Sequence, residues 1–168
     1  MRSLSILFVM GVSSMATGFC QASAPSTEHS PFTITIQALD AYGRSDAPVM
    51  VKAGQPVSIN IQLVNLTNEE MNVEGSWSFG VDYTYDYEVR DESGNLRKKL
   101  PTPHSTFIGS ERDEKVAPGM SKNEKVSVDR ACDLKEPGTY TIQVSREVPG
   151  DPKHRLVKSN IVTVTLVP

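Results

Sequence analysis

Apolar and polar residues alternate along most of the chain. In FTITIQAL, Phe32, Ile34 and Ile36 alternate with Thr33, Thr35 and Gln37. A period of two is the strand signature, with one set facing a core and the other facing water. QPVSINIQLVNLTN repeats it more clearly. Val57, Ile59, Ile61 and Leu63 take one side, and Ser58, Asn60 and Gln62 the other. In DYTYDYEVR, Tyr83, Tyr85, Tyr87 and Val89 alternate with Thr84, Asp86, Glu88 and Arg90. Aromatic and β-branched residues suit such a half-buried pleated surface. YTIQVSREV and SNIVTVTLV read the same way, and Val162, Val164 and Leu166 share a face in the second. VMVKAGQP, MNVEG and KVSVD are shorter extended candidates.

Turn formers separate these runs. DAYGRSDAP and PGDPKH read as loops and NLTNEE as a polar reversal. DESGN reads as a hairpin turn whose return arm starts at Leu96. The stretch Trp77–Asp82 reads as irregular, and PTPHSTFIGSERDE as a long loop. No helical period and no internal repeat is visible. Aromatic residues make up 7% of the chain and no Gly-rich blade motif occurs, which disfavours a propeller. The expectation is all-β: an immunoglobulin-like antiparallel β-sandwich of seven to nine strands.

One stretch sharpens that expectation. In DLKEPGTYTIQV a Pro-Gly turn precedes Tyr140, which heads an alternating run continued by Ile142 and Val144. Immunoglobulin-like sandwiches place a Tyr near the start of a late strand, and its hydroxyl reaches back to upstream backbone. Pro137 fixes φ and Gly138 admits positive φ, so Pro137, Gly138 and Tyr140 together form a structural corner.

The N-terminus has a different composition. Arg2, the apolar stretch LSILFVMGV and the small residues Ala22 and Ala24 form a signal-peptide pattern over residues 1–24. The apolar run is short for a span of about 20 residues, so no membrane span is expected. Residues 25–31 (PSTEHSP) read as a flexible tether, and residues 32–168 as the sandwich domain. The expected location is secreted or periplasmic. Phe19 disfavours lipid attachment at Cys20, because that position normally carries a small residue. Residues 25–168 hold 16 Lys and Arg against 20 Asp and Glu, and this mild acidity argues against nucleic acid as a partner. Cys132 is then alone, so no intramolecular disulfide forms and packing must hold the sandwich together.

Four motifs occur in order: VKAGQPVSINIQLVNLTNEEMNV, YDYEVRDESGN, VAPGMSKNEKVSVD and EPGTYTIQV. Together they resemble the immunoglobulin-like domain of the BsuPI-type proteinase inhibitor family. They are also similar to the sandwich domain that precedes the catalytic unit of deuterolysin-type metallopeptidases. The resemblance covers most of residues 50–145 and implies a fold. It implies an inhibitory role only through the family name, and no inhibitory residue transfers.

A search for chemistry finds scaffold instead. His29, His104 and His154 are scattered and form no H-E-x-x-H pattern, so no metal site of usual spacing is expected. There is no G-x-S-x-G elbow and no Gly-rich phosphate loop, and no catalytic residue or cofactor is assigned. Asn65 opens an Asn-Leu-Thr glycosylation pattern. Two features suit recognition. Trp77 and Phe79 stand between Gly75 and Gly80. Arg97, Lys98 and Lys99 lead into a proline-stiffened loop with Phe107 and Ile108 at its centre. The reading is an exported, non-catalytic module with a protein partner. The alternatives are a proteinase inhibitor acting through the 97–115 loop and a carbohydrate-binding module using Trp77 and nearby aromatics.

Overall fold

The computed structural model describes residues 29–45, 48–78, 80–101 and 110–168, without the side chains of residues 77, 78 and 110–112. The expected signal peptide, Cys20, most of the tether, Phe79, His104, Phe107 and Ile108 lie outside the described residues, as does the side chain of Trp77.

The described residues form ten strands: β1 Phe32–Leu39, β2 Val49–Lys52, β3 Ser58–Asn65, β4 Met71–Ser78, β5 Val81–Asp82, β6 Tyr85–Asp91, β7 Ser110–Val116, β8 Ser121–Ser127, β9 Gly138–Glu147 and β10 Leu156–Val167. A 3-10 turn, Val128–Arg130, follows β8. One sheet has the order β1-β3-β8, a second β2-β10-β9-β6, and a third, smaller sheet β5-β4-β7. All strand pairings are antiparallel except β2 on β10, which is parallel.

The strand count exceeds the expected seven to nine. Trp77–Asp82 is not irregular throughout: β4 runs to Ser78, and Trp77 pairs with Asp82 of β5. Residues 110–114, expected as the end of a long loop, belong to β7, which pairs with β4. Asp113, Glu114 and Lys115 are all exposed, so this edge strand shows no alternation to read. The hairpin arm expected from Leu96 is reduced to a single bridge, Arg90 to Leu96.

The alternating positions fill one continuous core. Ile59 and Ile61 from β3 and Ile142 and Val144 from β9 are fully enclosed, and Phe32, Ile36, Val89 and Leu166 join them. Full burial of each such side chain stabilises by about 1.5–3 kcal/mol before entropy is counted.

The Tyr140 corner is formed. Its hydroxyl donates to the Glu136 carbonyl at 2.9 Å. Gly138 has φ +154, and a Cβ there would meet the Tyr140 ring at 3.8 Å. The corner, the opposed sheets and the absence of any helix longer than a 3-10 turn among the described residues define an immunoglobulin-like β-sandwich.

One end of the interior is charged. β8 turns Lys122 and Glu124 inward, each about nine-tenths buried. Tyr85 donates its hydroxyl to Glu124 Oε1 at 2.8 Å, and Lys122 Nζ lies 3.6 Å from Glu124 Oε2. The Arg146 guanidinium lies 5.2 Å from the centre of the Tyr85 ring. It donates to Thr84 Oγ1 at 2.9 Å and to the Glu74 carbonyl at 2.6 Å. Asp82, fully buried, accepts from the Ser76 and Thr84 amides through Oδ1. Tyr87 donates to the Asp82 carbonyl at 2.8 Å. The Lys122 ammonium lies between two carboxylates, 3.6 Å from Glu124 Oε2 and 3.7 Å from Glu114 Oε2, so the buried charge is shared with the exposed Glu114 of β7. Burial, the largest cause in each case, raises the Glu124 carboxyl above its ordinary value and the Tyr85 and Tyr87 hydroxyls above theirs.

Asn65 fastens the third sheet to the first. It is fully buried, and its Nδ2 donates to the carbonyls of Glu69 and Val116, both at 2.8 Å. Its Oδ1 accepts from the Thr67 amide and hydroxyl. The glycosylation pattern is therefore a turn device whose acceptor nitrogen is already engaged inside the fold.

Candidate functional site

The second sheet is incompletely edged. β2 pairs with β10 only over Val164–Val167. On that side, the first part of β10 has no strand partner among the described residues. β1 runs alongside it instead, joined by one side chain. Asn160 Oδ1 accepts from the Ile36 amide at 2.8 Å, and its Nδ2 donates to the Ile36 carbonyl at 3.0 Å. The peptide groups of Ile36 therefore point away from β3. The two-residue period turns those of Ala38 the same way, toward the gap.

A groove of about 540 Å³ occupies this gap. Ile36 and Ala38 of β1, Pro48, Val49 of β2 and Val162 of β10 give it an apolar lining. Gln37, Ser45, Thr163 and Thr165 add polar groups at its margin. Met50 and Ile161, chain neighbours of two lining residues, are exposed apolar side chains.

The loop between β1 and β2 adds an aromatic. Tyr42 is 84% exposed, three residues before the groove-lining Ser45. Its position is nevertheless held. Asp40 Oδ1 accepts from the amides of Tyr42 at 2.9 Å and Arg44 at 2.8 Å. Asp40 Oδ2 pairs with the Arg44 guanidinium, which lies 5.2 Å from the Tyr42 ring centre. The Arg44 backbone hydrogen bond, with the other Arg44 and Tyr42 contacts, holds the Asp40 carboxyl below its ordinary value despite partial desolvation. An exposed Tyr on a backbone held by hydrogen bonds, with an Arg beside it, has the composition of an interface anchor.

Of the recognition residues singled out from sequence, Arg97, Lys98 and Lys99 are described with their side chains, and they lie away from this groove. Arg97 braces the tyrosine corner: its Nε donates to the Asp133 carbonyl at 3.2 Å, and its guanidinium lies 5.8 Å from the Tyr140 ring centre. The Lys98 carbonyl accepts from the Asp133 amide, and Leu100 donates to Ala131. Lys99 pairs with Asp86 and forms a backbone bridge with Cys132. The backbone of the basic run is thus bonded to residues 131–133. Cys132 is 1% exposed, and burial pushes its thiol up to about 11. His29 and His154 are exposed, and His154 Nδ1 meets Glu147 Oε1. Among the described residues, no group of three His, Cys, Asp or Glu gathers as a metal site. None of their helices is long and apolar enough to cross a membrane.

Sequence reasoning missed the groove. Most of its lining residues were legible as strand and Ser45 and Pro48 as loop, but a gap between two strand edges depends on which strands pair. Tyr42 lay within a segment read only as loop.

No protein-family model matches the chain, and no characterised protein does, so the BsuPI-type resemblance rests on its motifs alone. Two solved structures resemble it at low identity. The CARDB domain of PF1109 from Pyrococcus furiosus is 14% identical, with 82% of this chain and 96% of that one covered and a TM-score of 0.37. A PapD-like domain of human CEP192 is 13% identical, with 95% and 97% covered and a TM-score of 0.38.

Proposed function

We propose that this chain is an exported, non-catalytic immunoglobulin-like module that binds a protein partner by taking one of its extended segments into the β1–β10 groove. The first part of the β10 edge, which has no strand partner among the described residues, beside an apolar lining carries this reading. Strand addition uses this combination: backbone groups supply affinity, and pockets for alternate side chains supply specificity. The fixed Tyr42 loop adds an anchor at low entropic cost. The signal-peptide pattern of residues 1–24 supports export.

The test is selection from an unbiased displayed peptide library, followed by calorimetry. Selected peptides should be extended and alternately apolar. They should lose at least about tenfold in affinity on Val162→Asp or Tyr42→Ala, a loss of about 1.4 kcal/mol. Failure to select any peptide, or binding unmoved by both substitutions, overturns the reading.

A further inference from the structure

We propose that two copies of this chain associate through β7, pairing antiparallel about a two-fold axis at Asp113. β7 is the outer strand of the third sheet, and β4 is its single strand partner among the described residues.

The direction of its peptide groups follows from β4. The Glu74 carbonyl accepts from Arg146, and the Ser76 carbonyl accepts from the Tyr83 amide at 2.8 Å. The Ser76 amide donates to Asp82 Oδ1 at 3.1 Å. The peptide groups of Glu74 and Ser76 therefore face away from β7. In an antiparallel ladder, residues opposite such positions also turn their own groups outward. Their register partners are Asp113 and Glu111, and the period adds Lys115 opposite Asn72. Glu111, Asp113 and Lys115 thus present backbone donors and acceptors along an edge that no described strand occupies.

The sequence of that edge is Glu-Arg-Asp-Glu-Lys over residues 111–115. Reversed against itself about Asp113, it places Glu111 opposite Lys115 and Arg112 opposite Glu114, each pair occurring twice. Charged edges usually repel a second copy, but this one is complementary to its own reversal. Lys115 is 71% exposed while paired with Glu70 at 2.8 Å, so its ammonium is accessible to a second carboxylate. Glu114 is 55% exposed while its carboxylate lies 3.7 Å from the Lys122 ammonium, so it too can meet a second cation. The like pair is Asp113 with its own copy. It sits in a hydrogen-bonded position, where opposed Cα atoms are farther apart, at about 5.5 Å. The contact belongs to the small, reversible class of interface. It is separate from the β1–β10 groove.

Sedimentation equilibrium of the full chain tests this. The expected result is a concentration-dependent dimer, weakened at least about tenfold by Lys115→Glu or by Glu111→Lys, because each converts two attractive pairs into repulsive ones. Asp113→Asn should tighten it. A mixture of Lys115→Glu and Glu111→Lys should restore dimers, since one variant then carries two acids at these positions and the other two bases. Far-ultraviolet circular dichroism confirms that each variant is folded, and the mixture distinguishes lost pairing from lost fold. A chain that sediments as a monomer up to about 1 mM, or a dimer indifferent to both charge reversals, overturns the proposal.

Discussion

Asn160 acts on Ile36 as a strand would, accepting from its amide and donating to its carbonyl across 124 residues of sequence. One side-chain amide thereby joins the outer strand of the first sheet to the inner strand of the second. It also satisfies two backbone groups that β3 cannot reach.

Asn160→Ala should cost about 1–2 kcal/mol, because each lost hydrogen bond contributes about 0.5–1.5 kcal/mol net. Urea denaturation measures the loss. Hydrogen exchange should show the Ile36 amide losing protection before those of β3. Unchanged exchange at Ile36 would mean that another group holds it.

Asn65→Ala should be the more damaging change, at about 2–4 kcal/mol, because it strips the buried Val116 carbonyl of a donor and releases the Thr67 turn. Chemical denaturation checks it. Expression in a glycosylating host should yield folded protein without sugar at Asn65, and an occupied site in folded material would contradict the burial seen here.

The Glu124 carboxyl is raised by burial first, with Asp82 adding to the rise, while Tyr85, Lys122 and Arg146 oppose it. An acid raised in the fold contributes stability that is fully present below its ordinary pKa. That contribution is lost as pH rises through the folded value. The wild type should therefore lose stability relative to Glu124→Gln from the ordinary carboxyl range upward. Parallel melts of the two proteins across pH 4–7 test the sign. A wild type that gains on Glu124→Gln over that window refutes it.

Cys132 follows the same rule on the alkaline side. Its thiol rises from 9.0 to about 11 in the fold, with burial as the largest cause. Stability from this group is intact below 9.0 and lost as pH rises toward about 11. The native thiol should resist Ellman's reagent at pH 8 and react on denaturation. Rapid labelling of native protein would show the site to be open.

Tyr140→Phe should cost about 1 kcal/mol through the bond to Glu136, measurable as a lowered midpoint in urea. Arg97→Ala should destabilise similarly, because its guanidinium ties the Asp133 carbonyl to the corner.

Much of this fold was written in the alternation. Phe32 to Ala38, Val57 to Leu63 and Tyr140 to Val144 each had one apolar face, and each buries it. The corner was legible because Pro137, Gly138 and Tyr140 have local geometric needs. β7 was not, since a strand wet on both faces has no period. Lys122 and Glu124 sit on inward positions of β8 where alternation would place apolar residues. They pair with each other along β8, and their remaining partners, Glu114 of β7 and the Tyr85 hydroxyl of β6, are brought in by topology that no local pattern reveals. Arg97 and Lys99 look like surface charge until the segment that carries them is seen bonded to residues 131–133. The groove depends on β2 lying parallel to β10, a pairing that follows from topology rather than from composition.

That parallel pairing also dictates when the molecule can form. β10 lies between β9 and β2, and it is clamped to β1, so its residues complete the packing of the earliest strands. A nascent chain can build the β1–β3 ladder early, but it must hold that apolar face open until residues 156–167 have left the ribosome. Contacts so distant in sequence make closure slow. During that interval the unfinished interior stays open to water.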